Sequence, residues 1–320
     1  MDITIQQAAD RLLEHDFITI LCHRSPDGDT LGSGYALYHG LRGLGKYCRL
    51  RCADPAPPNM VQFLGSTGEE AETEAYVVAV DIADAALLGS LEAAYSGRVD
   101  LAIDHHPSNS RYGKETCLDQ GASATAQVIA HLLDCMGVTL TPVIASCLYL
   151  GLATDTGCFR YSNTTPDALR IVARLLESGI NAAKMNRVLF ETKTKSRLAV
   201  ECQVLQTMEY FHEGRCAVIT VPLSTVAQFG AAEHELDGIS SLPRQIQGVW
   251  VGITIREQES GCCRVSVRTN SEMNASALCA AFGGGGHVRA AGCTICAGID
   301  QAKAMLVAEV GRQMEKEAAL

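Results

Sequence analysis

The first hundred residues alternate short apolar runs with stretches of helical periodicity. Ile5, Ala8, Ala9, Leu12 and Leu13 fall at the i, i+3, i+4, i+7, i+8 spacing that predicts an amphipathic helix. FITILC at 17–22 then predicts a buried strand ending in a loop with Pro26 and Gly28, followed by a helix from Thr30 and a second strand, YCRLRC, at 47–52. The rhythm repeats. YVVAVDIAD predicts a strand ending at Asp81, Ala85 to Ala94 has helical composition, and VDLAID predicts a strand ending at Asp104. Continuous apolar strands alternating with helices indicate a parallel sheet covered on both faces, an α/β fold.

From Ser123 to Ser178 the pattern turns helical, in three segments separated by Gly, Pro and Thr breaks. Lys184, Arg187, Lys193, Lys195 and Arg197 then precede the helical stretch LAVECQVLQTMEY, which reads as a basic linker. Beyond it, RCAVITVP, GVWVGITIRE and CCRVSVRT predict three strands, followed by a glycine run at 283–286 and a last helix from Gln301. The expected organisation is a first domain over 1–186, a helical linker over 187–210, and a smaller α/β domain with a mixed sheet over 211–320.

Composition narrows the class. With 320 residues, 47% of them hydrophobic and 19% charged, the chain is long enough and apolar enough for two folded domains. Its net charge of -10 argues against coating long nucleic acid, which draws affinity from Lys and Arg, but leaves room for a small phosphorylated substrate held by local cations or metal. Apolar runs such as Ile144 to Ala153 fall short of the roughly 20 residues a membrane helix needs. The N-terminus shows no basic, then apolar, leader, so a cytoplasmic protein without membrane contact is expected. Many of the 14 cysteines lie inside apolar runs and read as reduced core thiols. Cys293 and Cys296 form one C-x-x-C, but the adjacent pair Cys262 and Cys263 lacks the spacing of two further zinc ligands.

The candidate chemistry sits where predicted strands end. His23, Asp27 and Asp29 follow the first strand, Asp81 ends a second, and Asp104, His105 and His106 end a third. In an open parallel sheet these ends face one crevice, so four aspartates and three histidines converge. Such clustered carboxylates repel unless cations sit among them, which points to bound metal. Asp155, at the end of an apolar helix, adds a carboxylate, whereas His15, His39 and His131 read as satisfied polar groups. Oxygen donors completed by imidazole, without thiolate, favour manganese or magnesium over zinc. A shared carboxylate can bridge two such ions, an arrangement suited to hydrolysis at phosphorus.

The set His23-x-x-x-Asp27-x-Asp29, Asp81, Asp104-His105-His106 and Asp155 closely resembles the four motifs of the DHH phosphoesterases, and GGGGH at 283–287 resembles the hallmark of their associated C-terminal domain. The compact length resembles the NrnA-like branch. That resemblance implies two Mn2+, with Mg2+ or Co2+ as substitutes: His23, Asp27 and Asp81 on one ion; Asp29, Asp81, His105 and Asp155 on the other; Asp81 bridging. It implies that Asp104 orients a ligand histidine and that His106 contacts the scissile phosphate or protonates the leaving oxygen, with a metal-activated water as nucleophile. The implied substrates are short oligoribonucleotides, cleaved to nucleoside 5'-monophosphates, and 3'-phosphoadenosine 5'-phosphate, cleaved to AMP. A homodimer is also implied.

In the second domain Gly284, Gly285 and Gly286 can aim backbone amides at an anion, with Arg268, Thr269 and His287 as further contacts. A glycine run serves a flexible hinge equally well, and His287 after it favours the anion-binding reading. Thr269 stands where the family often carries Ser. Enclosure between the metals and the glycine loop would limit substrate length. The rival activities are a phosphodiesterase for cyclic or linear diadenylate and an inorganic pyrophosphatase, against which GGGGH argues. A nucleotide sensor without turnover would predict a broken ligand set, and the set is whole.

Overall fold

The computed structural model describes residues 1–68, 76–236, 238–270 and 273–318. The chain divides into two units, Met1–Thr192 and Lys193–Leu320.

Among the described residues the first unit is built on five parallel strands, β1 (Phe17–Cys22), β2 (Tyr47–Cys52), β3 (Tyr76–Val80), β4 (Leu101–Asp104) and β5 (Glu115–Leu118), in the order β2-β1-β3-β4-β5. Its helices are α1 (Ile5–Glu14), α2 (Gly28–Gly43), α3 (Pro58–Leu64), α4 (Glu92–Tyr95), α5 (Thr125–Cys135), α6 (Pro142–Asp155), α7 (Pro166–Glu177) and α8 (Ala182–Asn186). The period-2 alternation of strands sorts side chains between two cores. Ile18, Ile20, Val78, Val80, Leu101 and Ile103 face α1, α2, α5 and α6, whereas Leu21, Val77 and Ala79 join Leu88, Tyr95 and Val99 on the other face. The strand order reverses between β1 and β3, and in such sheets ligands bind at that switch point, beyond the carboxyl ends of the strands.

Local chemistry explains the helix ends. Thr4 and Gln7 form a reciprocal capping box that starts α1. Thr141 caps α6 and Pro142 opens it; the helix is apolar on nearly every side and has nine buried residues, so it runs through the core rather than over it. Against α6 lies α2, at a distance only glycine permits: a Cβ on Gly32 would meet the Cys147 carbonyl oxygen at 2.4 Å, and one on Gly151 would meet Asp29 Oδ1 at 2.8 Å. Two expectations are revised here. Residues 85–94 form a 3-10 turn, Ala85–Leu91, and the short α4 instead of one helix, because Gly89 takes φ 60° and breaks the run. β5, four residues at the sheet edge, was not expected; ETCL carries neither a long apolar run nor aromatic residues.

The second unit has a six-stranded mixed sheet among the described residues: β6 (Glu209–Phe211), β7 (Cys216–Val221), β8 (Val251–Glu257), β9 (Cys263–Thr269), β10 (Gly285–Gly286) and β11 (Ala290–Ile295), ordered β10-β11-β9-β8-β7-β6. Only β7 and β8 pair in parallel. Its helices are α9 (Lys195–Gln206), α10 (Leu223–Phe229), α11 (Ala275–Ala280) and α12 (Ile299–Ala318). Val251, Ile253, Ile255, Val265 and Val267 pack with Leu278, Leu306 and Val310; on the opposite face Ile219 and Val221 pack with Val200 and Val204 of α9. The basic stretch read as a linker thus divides between the units, and Lys193 and Arg197 both bond Glu201, at 2.6 and 2.9 Å.

Cys262 and Cys296 form a disulfide, so the reading of the cysteines as reduced thiols does not extend to this pair. The antiparallel register that pairs Cys263 with Ile295 brings these next residues face to face across β9 and β11. The other twelve are free thiols. Among the described residues no helix is long and apolar enough to cross a membrane.

Candidate metal and active site

The carboxyl ends of β1, β3 and β4 deliver the expected residues to one place. His23 follows β1 directly, and Asp27 caps α2, its Oδ1 accepting the amides of Asp29 and Thr30 at 3.0 and 3.1 Å. Asp81 leaves β3 in a left-handed conformation, φ 60°, which Asp tolerates better than most residues, and donates its amide to Ile103 O. Asp155 arrives from the last turn of α6.

Three overlapping groups result: His23, Asp27 and Asp81; Asp29, His105 and Asp155; and Asp81, His105 and His106. In each, one ligand atom per residue lies within 4.8 Å of the others. His23 Nε2 is 3.5 Å from Asp27 Oδ1 and 3.7 Å from Asp81 Oδ2. His105 Nε2 is 3.8 Å from Asp29 Oδ2, 3.9 Å from Asp81 Oδ1 and 3.7 Å from Asp155 Oδ2. These gaps are long for hydrogen bonds and short enough for a shared cation. Asp81 therefore turns one oxygen to each donor set.

The imidazoles are oriented for this role. His23 Nδ1 meets the Arg24 carbonyl at 2.7 Å and His105 Nδ1 the Ala122 carbonyl at 3.3 Å, which leaves each Nε2 toward the carboxylates. His105 Nε2 is buried and has no hydrogen-bond partner, as a metal-ligating nitrogen would be. Burial and the neighbouring Asp29 and Asp27 charges hold Asp81 well above the usual carboxylate range, and the same causes raise Asp155. Burial also raises Asp29. The residues present fit a divalent metal, which would relieve this repulsion.

Asp104 is fully buried and stands behind the cluster. It accepts from His106 Nδ1 at 2.8 Å, Asn109 Nδ2 at 2.6 Å and the His105 amide at 2.8 Å. Burial works against its charge, but the His106 bond and charge and the Asn109 bond hold it below the ordinary carboxylate range. Burial is the largest influence and opposes the His106 cation, but the bond to Asp104 together with the charges of Asp104, Asp155 and Asp29 outweighs it and raises that ring. The ring oriented by Asp104 is thus His106. His15, His39 and His131 find local partners: the Tyr76 ring, the Leu64 carbonyl and Asp167.

Several supporting residues were not foreseen. Thr125 donates its hydroxyl to Asp81 Oδ1 at 2.8 Å and its amide to Asp29 Oδ2 at 2.7 Å, and the Ala126 amide reaches Asp29 Oδ1 at 2.9 Å. Asp29 thereby caps α5, whose own N-cap residue, Ala124, makes no side-chain bond. Ser33 bonds Asp29 and Asn163 bonds Asp155. The one available signal was an alanine where a helix start needs a cap.

In the second unit, Arg268 lies near the end of β9 with Nη1 donating to Val267 O at 3.0 Å. Thr269 is buried and its hydroxyl donates to Val288 O at 3.2 Å, tying down the turn after the glycines. The glycines are not a loose hinge. Gly285 and Gly286 pair with Gly292 and Ala291 of β11, and a Cβ on Gly284 would strike the Gly292 carbonyl oxygen at 2.2 Å. Gly285, Gly286 and His287 are exposed.

Residues 17–152 match the DHH family, N-terminal domain, and residues 214–316 match the DHHA1 domain. The bifunctional oligoribonuclease and PAP phosphatase NrnA of Thermus thermophilus is 35% identical over 285 residues, covering 87% of this chain and 84% of that protein. The chain belongs to the DHH family. An exopolyphosphatase-related protein from Bacteroides fragilis shares the fold, superposing with a TM-score of 0.90 at 22% identity and covering 98% of this chain and 97% of that one. RecJ of Thermus thermophilus in complex with Mn2+ superposes with a TM-score of 0.57 at 15% identity, covering 96% of this chain and 55% of that one.

Proposed function

We propose that this phosphoester hydrolase of the DHH family cleaves short oligoribonucleotides to nucleoside 5'-monophosphates and 3'-phosphoadenosine 5'-phosphate to AMP, using two manganese ions. The observation that carries the proposal is Asp81, whose two carboxylate oxygens face two separate sets of His and Asp donors. The substrate class rests on the relative from Thermus thermophilus and its name.

His23, Asp27 and Asp81 would hold one ion, and Asp29, Asp81, His105 and Asp155 the other. The chemistry such ions supply is acidification of a water and neutralisation of charge on the phosphoryl oxygens. His106, its Nδ1 committed to Asp104, hands a proton from Nε2 to the departing oxygen as the P–O bond breaks. Its raised proton affinity suits this acid role near neutral pH. Arg268, His287 and the exposed Gly285–Gly286 turn supply the substrate contacts of the second unit, while Thr269 keeps that turn in place. We place the enzyme in the cytoplasm.

A hydrolysis panel in Mn2+ tests the reading: dinucleotide RNA, 24-nucleotide RNA, 3'-phosphoadenosine 5'-phosphate, linear and cyclic diadenylate, and pyrophosphate. We expect kcat/KM to be highest for the dinucleotide and 3'-phosphoadenosine 5'-phosphate. A preference for a diadenylate would replace the substrate assignment, and full activity after chelation would overturn the metal assignment.

A further inference from the structure

Asp81 can serve two donor sets only if its carboxylate is held against rotation. A carboxylate on a strand end turns freely about its last bond unless a neighbour fixes one oxygen. Asp81 Oδ1 accepts the Thr125 hydroxyl at 2.8 Å, and Thr125 is fully buried at the first position of α5. The same residue's amide, with that of Ala126, holds both oxygens of Asp29. One residue thus ties together two carboxylates of the cluster, and both ties lie on the side of His105. Asp81 Oδ1 and Asp29 Oδ2 stand 3.9 and 3.8 Å from His105 Nε2, whereas Asp81 Oδ2 faces His23.

We infer that Thr125 is a positioning residue that sets the rotation of Asp81, the carboxylate both subsites share, and so the coupling of the two ions. The inference rests on the two-ion reading above. The hydroxyl is the part that matters for Asp81, because the amide hold on Asp29 survives any side-chain change. Thr125→Val keeps the shape and removes the donor. Thr125→Ser keeps the donor and loses a methyl. Loss of a hydrogen-bonding partner behind a metal ligand typically weakens metal affinity about 10- to 100-fold.

The test is calorimetric titration of the metal-free protein with Mn2+, with thermal melting of each variant to establish folding. Wild type is expected to bind two ions. Thr125→Val should weaken Mn2+ binding about 10- to 100-fold at one or both events, and the low-temperature spin-resonance spectrum should shift from coupled ion pairs toward isolated Mn2+. Thr125→Ser should restore both events. Two unchanged events in a folded Thr125→Val protein, an unchanged coupled-pair spectrum, or no rescue by serine would each overturn the inference. Failure of wild type to bind two ions would sink the two-ion reading itself, so the two failures are distinguishable.

Discussion

Replacing Gly32 with alanine tests whether close approach of α2 and α6 sets the metal site. An added Cβ would lie 2.4 Å from the Cys147 carbonyl oxygen and 2.7 Å from the Gly151 amide nitrogen. Both are main-chain atoms of α6, so no side-chain rotation relieves the clash. Ordinary van der Waals separation of about 3.5 Å returns only if the helices part by about 1 Å. Overpacking of this kind costs about 1–3 kcal/mol, and the better helix propensity of alanine offsets about 1 kcal/mol of it. The net loss is about 0–2 kcal/mol, a fall in Tm of up to about 8 °C for a unit of this size. Activity should suffer more. α2 carries Asp29 and α6 carries Asp155, and a displacement of about 1 Å at reacting groups costs on the order of 100-fold in rate. The assay is kcat/KM on dinucleotide RNA in saturating Mn2+, with melting curves alongside. Gly43→Ala, at the far end of α2 with nothing within 4 Å of its Cβ, is the control and should be neutral or slightly stabilising. A Gly32→Ala protein that melts and turns over like the control would refute the packing argument.

Metal-free protein should lose thermal stability as pH rises from the ordinary carboxylate range through neutrality, because Asp29, Asp81 and Asp155 are raised by burial, and His23 and His106 by their aspartate partners against burial, so all five favour their protonated forms when folded. The stability is present below their unfolded values and is lost as pH climbs through the raised ones, so the rise in Tm on adding Mn2+ should be larger at pH 8; a flat metal-free profile would contradict this. Asn109→Leu leaves the buried Asp104 Oδ2 without its 2.6 Å donor and should cost about 1–3 kcal/mol in urea unfolding, while Mn2+ titration still shows two events. Asp81→Ala should abolish turnover of every substrate, whereas Arg268→Ala should mainly raise KM; equal losses of kcat with unchanged KM for both would break the division of labour between the units.

Much of the site was legible because its residues follow buried strands whose apolar runs are plain: FITILC, YVVAV and LAID mark their own ends, and His23, Asp81 and Asp104 stand just past or at them. Asp155 was visible for the same reason at the end of an apolar helix. The support behind the ligands was hidden because it is tertiary. Thr125 looks like any helix-start threonine, and nothing near it shows that its hydroxyl reaches back 44 positions to Asp81. β10 and β11 were missed because glycine and alanine are poor strand formers in isolation; they pair here because the missing side chains let two backbones press together. Cys262 and Cys296 lie 34 residues apart, and only the register of β9 and β11 makes them neighbours.

The cap that Asp29 places on α5 spans 96 positions of sequence. A ribosome-bound chain that has emerged only as far as the Asp104-His105-His106 run would possess most of the ion-binding residues yet no scaffold to aim them. Ion capture would therefore come late in synthesis, following the docking of α5 and α6, and partial chains would be spared from sequestering divalent metal before they can use it.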